Sequence, residues 1–229
     1  MLGELILTPA GRVRTERETV CGAALLTVSA RARPRALSLA ARQLRRAGLR
    51  RAAAPETPLC RQILSAAGIE AVTERDALPI LAARLTHAVL QTLFPAPEAV
   101  SVALWAGRRS RWLDRAALEL AETVREVRVE TPDGAALRRY LRSRFGLADR
   151  SGCPGDFSLV FDPLPETLPQ PPGLWLSRTP PPSGWHGQAG LTAVLRDGTV
   201  LTDGARIALL LTTGLLPLGA VAVTPQMPG

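Results

Sequence analysis

The fold turns on the stretch VALWAGRRSRW, residues 102–112. Val102, Ala103, Leu104 and Trp105 form a short, continuous apolar run, the pattern of a buried strand. One glycine, Gly107, then opens into Arg108, Arg109 and Arg111 and a helix-like segment. A strand that feeds a helix through so short a turn begins a strand-helix-strand unit.

Along the chain that follows, the rhythm repeats. AVSVALWA (99–106) reads as a strand, and RWLDRAALELAETV (111–124) as a helix with Leu113, Ala117, Leu120 and Val124 on one face. EVRVET (126–131) reads as a second strand. DGAALRRYLRSRFG (133–146) reads as a helix capped by Asp133 and ended at Gly146, and DFSLVFDP (156–163) as a third strand. The connections are too long for hairpins, so the alternation predicts parallel strands with helices packed on the sheet.

The N-terminal part carries weaker versions of the same signals. Residues 5–8 and 21–30 read as strands, and Pro34 opens a basic amphipathic helix with Leu37, Ala41, Leu44 and Gly48 on one stripe. RRAAAP (50–55) reads as a short strand, 57–67 as a helix stopped by Gly68, and IEAV (69–72) as another strand. Asp76 is expected to cap a longer helix carrying Leu78, Leu81, Leu85, Val89 and Leu93. Prolines in FPAPE (94–98) mark a boundary.

Toward the end, residues 163–182 are proline-rich and predict extended backbone, a linker or an ordered excursion anchored by Leu174, Trp175 and Leu176. Asp197-Gly198 signals a turn, a helix opens near Asp203, and GAVAVT (219–224) reads as a last strand. The reading is an α/β chain, three-layered, with a mostly parallel sheet. Residues 1–95 form a smaller α/β part, and 96–229 form the second domain with its excursion at 163–182.

Composition narrows the function classes. At 46% hydrophobic and 21% charged residues the chain is globular rather than disordered. All 28 basic residues are arginine, and neither Lys nor Asn occurs, the mark of a GC-rich genome. That bias explains Arg in place of Lys. It does not explain the net charge of +8, which favours acidic partners such as nucleic acid, phosphorylated metabolites or an anionic surface. Cys21, Cys60 and Cys153 form no CxxC pair, which argues against zinc and a disulfide framework and points to a reducing, cytoplasmic setting. The first residues lack a signal-peptide pattern. The apolar run at 207–223 is short for a membrane span and carries Gly214, Pro217 and Gly219, so it reads as a buried helix followed by a buried strand.

The β-α-β-α-β block, about a quarter of the chain, resembles the mononucleotide-binding half of Rossmann-type domains. The resemblance implies Gly-x-Gly-x-x-Gly in the first turn, where backbone N–H groups and a helix start meet a pyrophosphate. Here Ala106-Gly107-Arg108-Arg109-Ser110-Arg111 keeps only the first glycine, with Arg109 and Trp112 in the other glycine positions. The resemblance also implies an acid for a ribose hydroxyl after the second strand, and Glu130 stands there. Asp162 ends the third strand, at the carboxyl edge where α/β proteins place ligands, or serves as a turn residue before Pro163. Arg108, Arg109 and Arg111 offer another chemistry, guanidinium forks on a phosphate or carboxylate beside a helix N-terminus, unless they are solvated loop charges. The candidate binding set is Gly107, Arg108, Arg109, Ser110, Glu130 and Asp162, with a nucleotide or NAD(P) as the cofactor in view.

Other chemistry-bearing residues have ordinary structural readings. His87 lies beside the apolar stripe of its helix, and His186 sits in a loop with Trp185 as a pocket wall but has no partner visible in sequence. Cys21 and Cys60 read as small hydrophobes in apolar segments, and Cys153 lies in a Gly/Pro loop without a catalytic thiol motif. The basic helix around 42–51 and the cluster Arg138, Arg139, Arg142 and Arg144 are able to meet phosphates. Aromatic residues, at 4%, are too sparse to signal base stacking. Three function classes remain: a binder of a nucleotide-type or phosphorylated small molecule without evident catalytic machinery, an interaction or regulatory protein without a ligand, and an electrostatic nucleic-acid binder. No membrane partner is expected.

Overall fold

The computed structural model describes residues 1–9, 11–147, 155–162, 172–179, 182–183, 185 and 189–225. The chain divides into two compact units. Unit 1 comprises Met1–Ala77 and Leu191–Ala222, and unit 2 comprises Leu78–Gly190 and Val223–Gly229.

Unit 1 opens with β1 (Leu2–Thr8), β2 (Arg14–Val20) and β3 (Ala23–Arg31), followed by α1 (Pro34–Arg46), β4 (Arg51–Ala53), α2 (Pro58–Ala66) and β5 (Glu70–Val72). Its sheet has the order β2-β3-β1-β4-β5 and is parallel except for β2, which runs antiparallel to β3. Leu5, Leu26 and Val28 of the strands meet Leu37 and Leu44 of α1 and Leu64 of α2 in one buried cluster. Each such side chain stabilises the fold by about 1.5–3 kcal/mol relative to an exposed position. Pro34 occupies the first turn of α1, and the Thr57 hydroxyl caps α2 by accepting from the Cys60 N–H at 3.2 Å.

β2 is unanticipated in the sequence because RTERETV has no apolar face, and every residue but Val20 is exposed. Full-length pairing with β3, from Arg14 opposite Ser29 to Val20 opposite Ala23, holds it. Its charges also guard an edge that would otherwise invite another strand. Cys21 (φ 51°) and Gly22 (φ 75°) form the two-residue turn between these strands, where both positions need left-handed backbone. Cys21 is therefore a half-exposed turn residue rather than a buried hydrophobe, whereas Cys60 is buried as expected.

Beyond β5 the helix expected from Asp76 begins six residues later. Residues Glu74–Asp76 form a 3-10 turn, and the Asp76 carboxylate accepts from the Thr73 N–H at 2.8 Å. Pro79 disfavours helical backbone at Leu78, and in unit 2 the helix proper, α3, spans Ala82–Leu93. Leu78 and Leu81 are buried ahead of it, and Leu93 is exposed.

The remainder of unit 2 is β6 (Ser101–Trp105), α4 (Arg111–Ala121), β7 (Glu126–Glu130), α5 (Ala135–Phe145), β8 (Phe157–Val160) and β9 (Gly173–Trp175). Its sheet is parallel with the order β7-β6-β8-β9. Asp133 does not cap α5. Gly134 holds the cap position without a side-chain bond, because the Asp133 carboxylate accepts from the Arg109 N–H and the Thr131 hydroxyl instead. Gly146 (φ 68°) ends the helix as read from the sequence. Within the proline-rich stretch, Leu174, Trp175 and Leu176 are buried, the first two in β9. Residues 163–171, 180 and 181 lie outside the described residues.

β10 (Ala189–Val194) and β11 (Val200–Leu201) pair antiparallel around Asp197-Gly198, whose glycine has φ 85°. Asp203 caps α6 (Gly204–Thr212), accepting from the Arg206 N–H at 2.9 Å. β12 (Val221–Pro225) joins the sheet β11-β10-β12. Within the apolar run at 207–223, Ile207, Ala208, Leu209, Leu210 and Leu211 are buried in α6, but β12 is not a buried strand, for Val221 is buried while Ala222 and Thr224 are exposed. Among the described residues no helix is long and apolar enough to cross a membrane. With its helices packed on parallel sheets, the chain belongs to the three-layer α/β class.

Candidate functional site

Strand order directs attention to the carboxyl end of β6. It lies between β7 and β8, so the chain leaves it toward one neighbour and later returns on the other side. Such a switch opens a crevice outside the strand ends. Backbone bonds extend the pairing to the rim: the Ala106 N–H donates to the Glu130 carbonyl at 3.1 Å, and the Phe161 N–H to the Trp105 carbonyl at 2.9 Å.

The turn that leaves this rim is largely satisfied from within. Ser110 caps α4, its hydroxyl accepting from the Leu113 N–H at 3.2 Å. Arg109 forks onto Asp114, with Nε to Oδ1 at 2.7 Å and Nη2 to Oδ2 at 2.9 Å, which raises its pKa. The Arg109 N–H donates to Asp133 Oδ1 at 2.9 Å, and the Thr131 hydroxyl donates to the same oxygen at 2.8 Å. The Thr131 hydroxyl, aided by that backbone N–H, holds Asp133 below the ordinary carboxylate range. Arg138 braces the end of β7 through the Val129 carbonyl at 2.9 Å. Of the residues singled out from sequence, Gly107 and Arg108 are exposed on the turn, and Glu130 is half-buried at the end of β7. Asp162 follows β8. Although much of it is open to solvent, partial desolvation pushes its carboxyl up, while Arg108 and Arg178 pull it down.

A tryptophan cluster walls the same edge. Trp175 and Trp185 meet edge to face at 5.7 Å and pack with Val160 and the half-buried Trp105. The Trp175 indole N–H donates to the Thr179 carbonyl at 2.8 Å. The Trp105 indole N–H is buried and, among the described residues, has no acceptor. Gly173 makes the packing possible, since a Cβ there would strike the Ser158 carbonyl and the Trp185 ring. Sequence reading named Trp175 as an anchor and Trp185 as a pocket wall. It missed the link to Trp105, because contacts across parallel strands leave no spacing signal.

Two further cavities lie in unit 1. One of about 500 Å³ lies against the ends of β1 and β4 and the start of α6, with Glu74 and Asp203 in its wall. Burial pushes the Glu74 carboxyl up, reinforced by Asp203 and Glu56 and opposed by Arg75. The other, about 620 Å³, is lined by Cys21, Arg196 and Pro217 among others. His87 is held by the Thr123 hydroxyl at 3.2 Å, and burial lowers its pKa, the behaviour of a packed structural histidine. His186 and Cys153 lie outside the described residues. Among the described residues no group of His, Cys, Asp and Glu is placed to hold a metal ion.

No protein-family model matches this chain, and no curated protein matches it. Among solved structures, the L-tryptophan dehydrogenase of Nostoc punctiforme is similar at a TM-score of 0.31 and 10% identity, over 69% of this chain. The match spans 55% of that dehydrogenase's length. At this level it assigns no activity here.

Proposed function

We propose that unit 2 is a Rossmann-like module that binds an anionic small molecule, of nucleotide or phosphorylated type, at the carboxyl edge of its sheet. The observation that carries this reading is the charge of Arg108 and Arg178 acting on the partly exposed carboxyl of Asp162, at the switch in strand order. Beside it the Trp105 indole N–H is a buried donor without an acceptor among the described residues, a cost that a ligand oxygen would remove. The recognition differs from a glycine loop. Arg109 and Ser110 hold the turn, and Arg108, exposed on it, is the cation offered to the ligand. Glu130 and Asp162 are the acceptors for hydroxyls. No group in this set is assigned a catalytic step.

A second reading, an interaction or regulatory protein without a ligand, draws on a different observation. Asp133 accepts from the Arg109 N–H close to the start of α4, where a phosphate would look for such a donor. A thermal-shift panel of ATP, NAD, NADP, S-adenosylmethionine and a sugar phosphate separates the two. A ligand at ten times its dissociation constant adds about 1.4 kcal/mol of stability. The binding reading expects such a shift with at least one compound and its loss in Arg108→Gln. No shift with any compound at millimolar concentration would sink it.

A further inference from the structure

The net charge of this chain has one address. From Thr19 to Pro55 there is no Asp or Glu, yet eight arginines occur: Arg31, Arg33, Arg35, Arg42, Arg45, Arg46, Arg50 and Arg51. Taking these eight from 28 basic residues leaves 20, equal to the 20 acidic residues, so this stretch accounts for the whole +8. Elsewhere arginines find acids, as in Arg109 with Asp114, Arg115 with Glu119 and Arg125 with Asp156. Among the described residues Arg51 alone within the stretch does so, with Glu70 at 3.1 Å.

α1 displays these charges in order. Leu37, Ala40, Ala41 and Leu44 face the core. At about 100° per residue, Arg35, Arg42 and Arg46 fall within about 40° of one another on the opposite side, spread over about 16 Å of helix. All three are exposed, as are Arg33, Arg45 and Arg50 at its flanks and ends. Arg42 and Arg46 are one turn apart, a like-charge pair that disfavours the free helix. The N-terminus of α1 has neither a capping side chain nor an acid in its first turn. Among the described residues, a helix so arranged has no counter-charge.

We propose that the outer face of α1 is a docking surface for the phosphate backbone of nucleic acid, bound without regard to sequence. An anionic membrane fits less well, for an interfacial helix needs an apolar face to insert, and that of α1 is spent on the core, leaving only Leu39 exposed. Base stacking is not available, since residues 19–55 contain no aromatic side chain. What remains is a row of guanidinium groups matched to phosphates.

The test is fluorescence anisotropy of the full chain with a short labelled DNA duplex and a single-stranded RNA, each in two unrelated sequences, and with phosphatidylserine vesicles in parallel. The surface predicts binding at about 50 mM salt that weakens steeply toward about 200 mM, equally for both sequences. Arg35→Gln/Arg42→Gln/Arg46→Gln should weaken binding at least about tenfold and flatten the log–log salt slope by about 3. The same positions changed to Lys should keep most of the affinity. Arg12→Gln/Arg115→Gln/Arg196→Gln, which removes equal charge at exposed positions elsewhere, should keep it too. Absence of binding at about 50 mM salt overturns the proposal. So does equal weakening by both Gln triples, or vesicle binding without nucleic-acid binding.

Discussion

Glu4 shows how much of the chemistry sits in single residues. It is 2% exposed inside β1, and its charge is answered by the Thr27 hydroxyl at 2.8 Å and by Arg206 Nε at 2.7 Å. Arg206→Met would leave that carboxylate buried and unpaired, at a cost of about 3–5 kcal/mol. Urea unfolding reads this directly, and a loss below about 1 kcal/mol would mean that Glu4 does not depend on the pair. The double change Glu4→Leu/Arg206→Met should recover most of the loss, because an apolar pair has no charge to desolvate. Glu74 makes the complementary case. Its pKa is raised in the fold, so the folded protein holds that proton more tightly than the unfolded chain. The stability linked to it is complete below the unfolded carboxylate pKa and is lost as pH rises through the folded value. Glu74→Gln should therefore raise the melting temperature at pH 7 and leave it unchanged near pH 3, near and below the ordinary carboxylate range. An equal gain at both pH values would contradict this assignment.

Among the elements, those with a clear apolar period were legible. α1 and α4 bury the faces that their sequences mark, and β6, β7 and β8 are short runs buried except at Trp105 and Glu130, the half-buried last residues of β6 and β7. β2 was not legible, because an edge strand held by backbone pairing needs no apolar side chains. The start of α3 was misread because Asp76 carries the mark of a cap but spends its carboxylate on Thr73. Two substitutions test how the elements at the site are set. Ser110→Ala removes the cap of α4 and should cost about 1 kcal/mol. Unchanged stability would show that the Ser110 bond contributes nothing. Gly173→Ala places a methyl group against the Ser158 carbonyl and the Trp185 ring and should cost about 1–3 kcal/mol, with a change in tryptophan fluorescence. A neutral result would mean that β9 is not packed as described.

For the molecule as a whole, the parallel α/β architecture was legible, because repeated strand-helix alternation leaves few other ways to pack. The candidate site was legible only in part. Gly107, Arg108 and Asp162 could be placed from strand ends alone. The bond between Arg109 and Asp133 could not, since it joins loops 24 residues apart in sequence. The Trp105 link to Trp175 and Trp185 likewise appears only when β6, β8 and β9 lie side by side. The proposed anion at this edge is read directly by NMR of the indole N–H groups. The chain has four tryptophans, and Trp105→Phe identifies the Trp105 signal. Titration with the nucleotide or phosphate compound that gives the largest thermal shift should move the Trp105 indole resonance in the wild type. In Arg108→Gln the same titration should leave it in place. A compound that binds while the Trp105 signal stays fixed, or a panel in which none moves it, would contradict the claim.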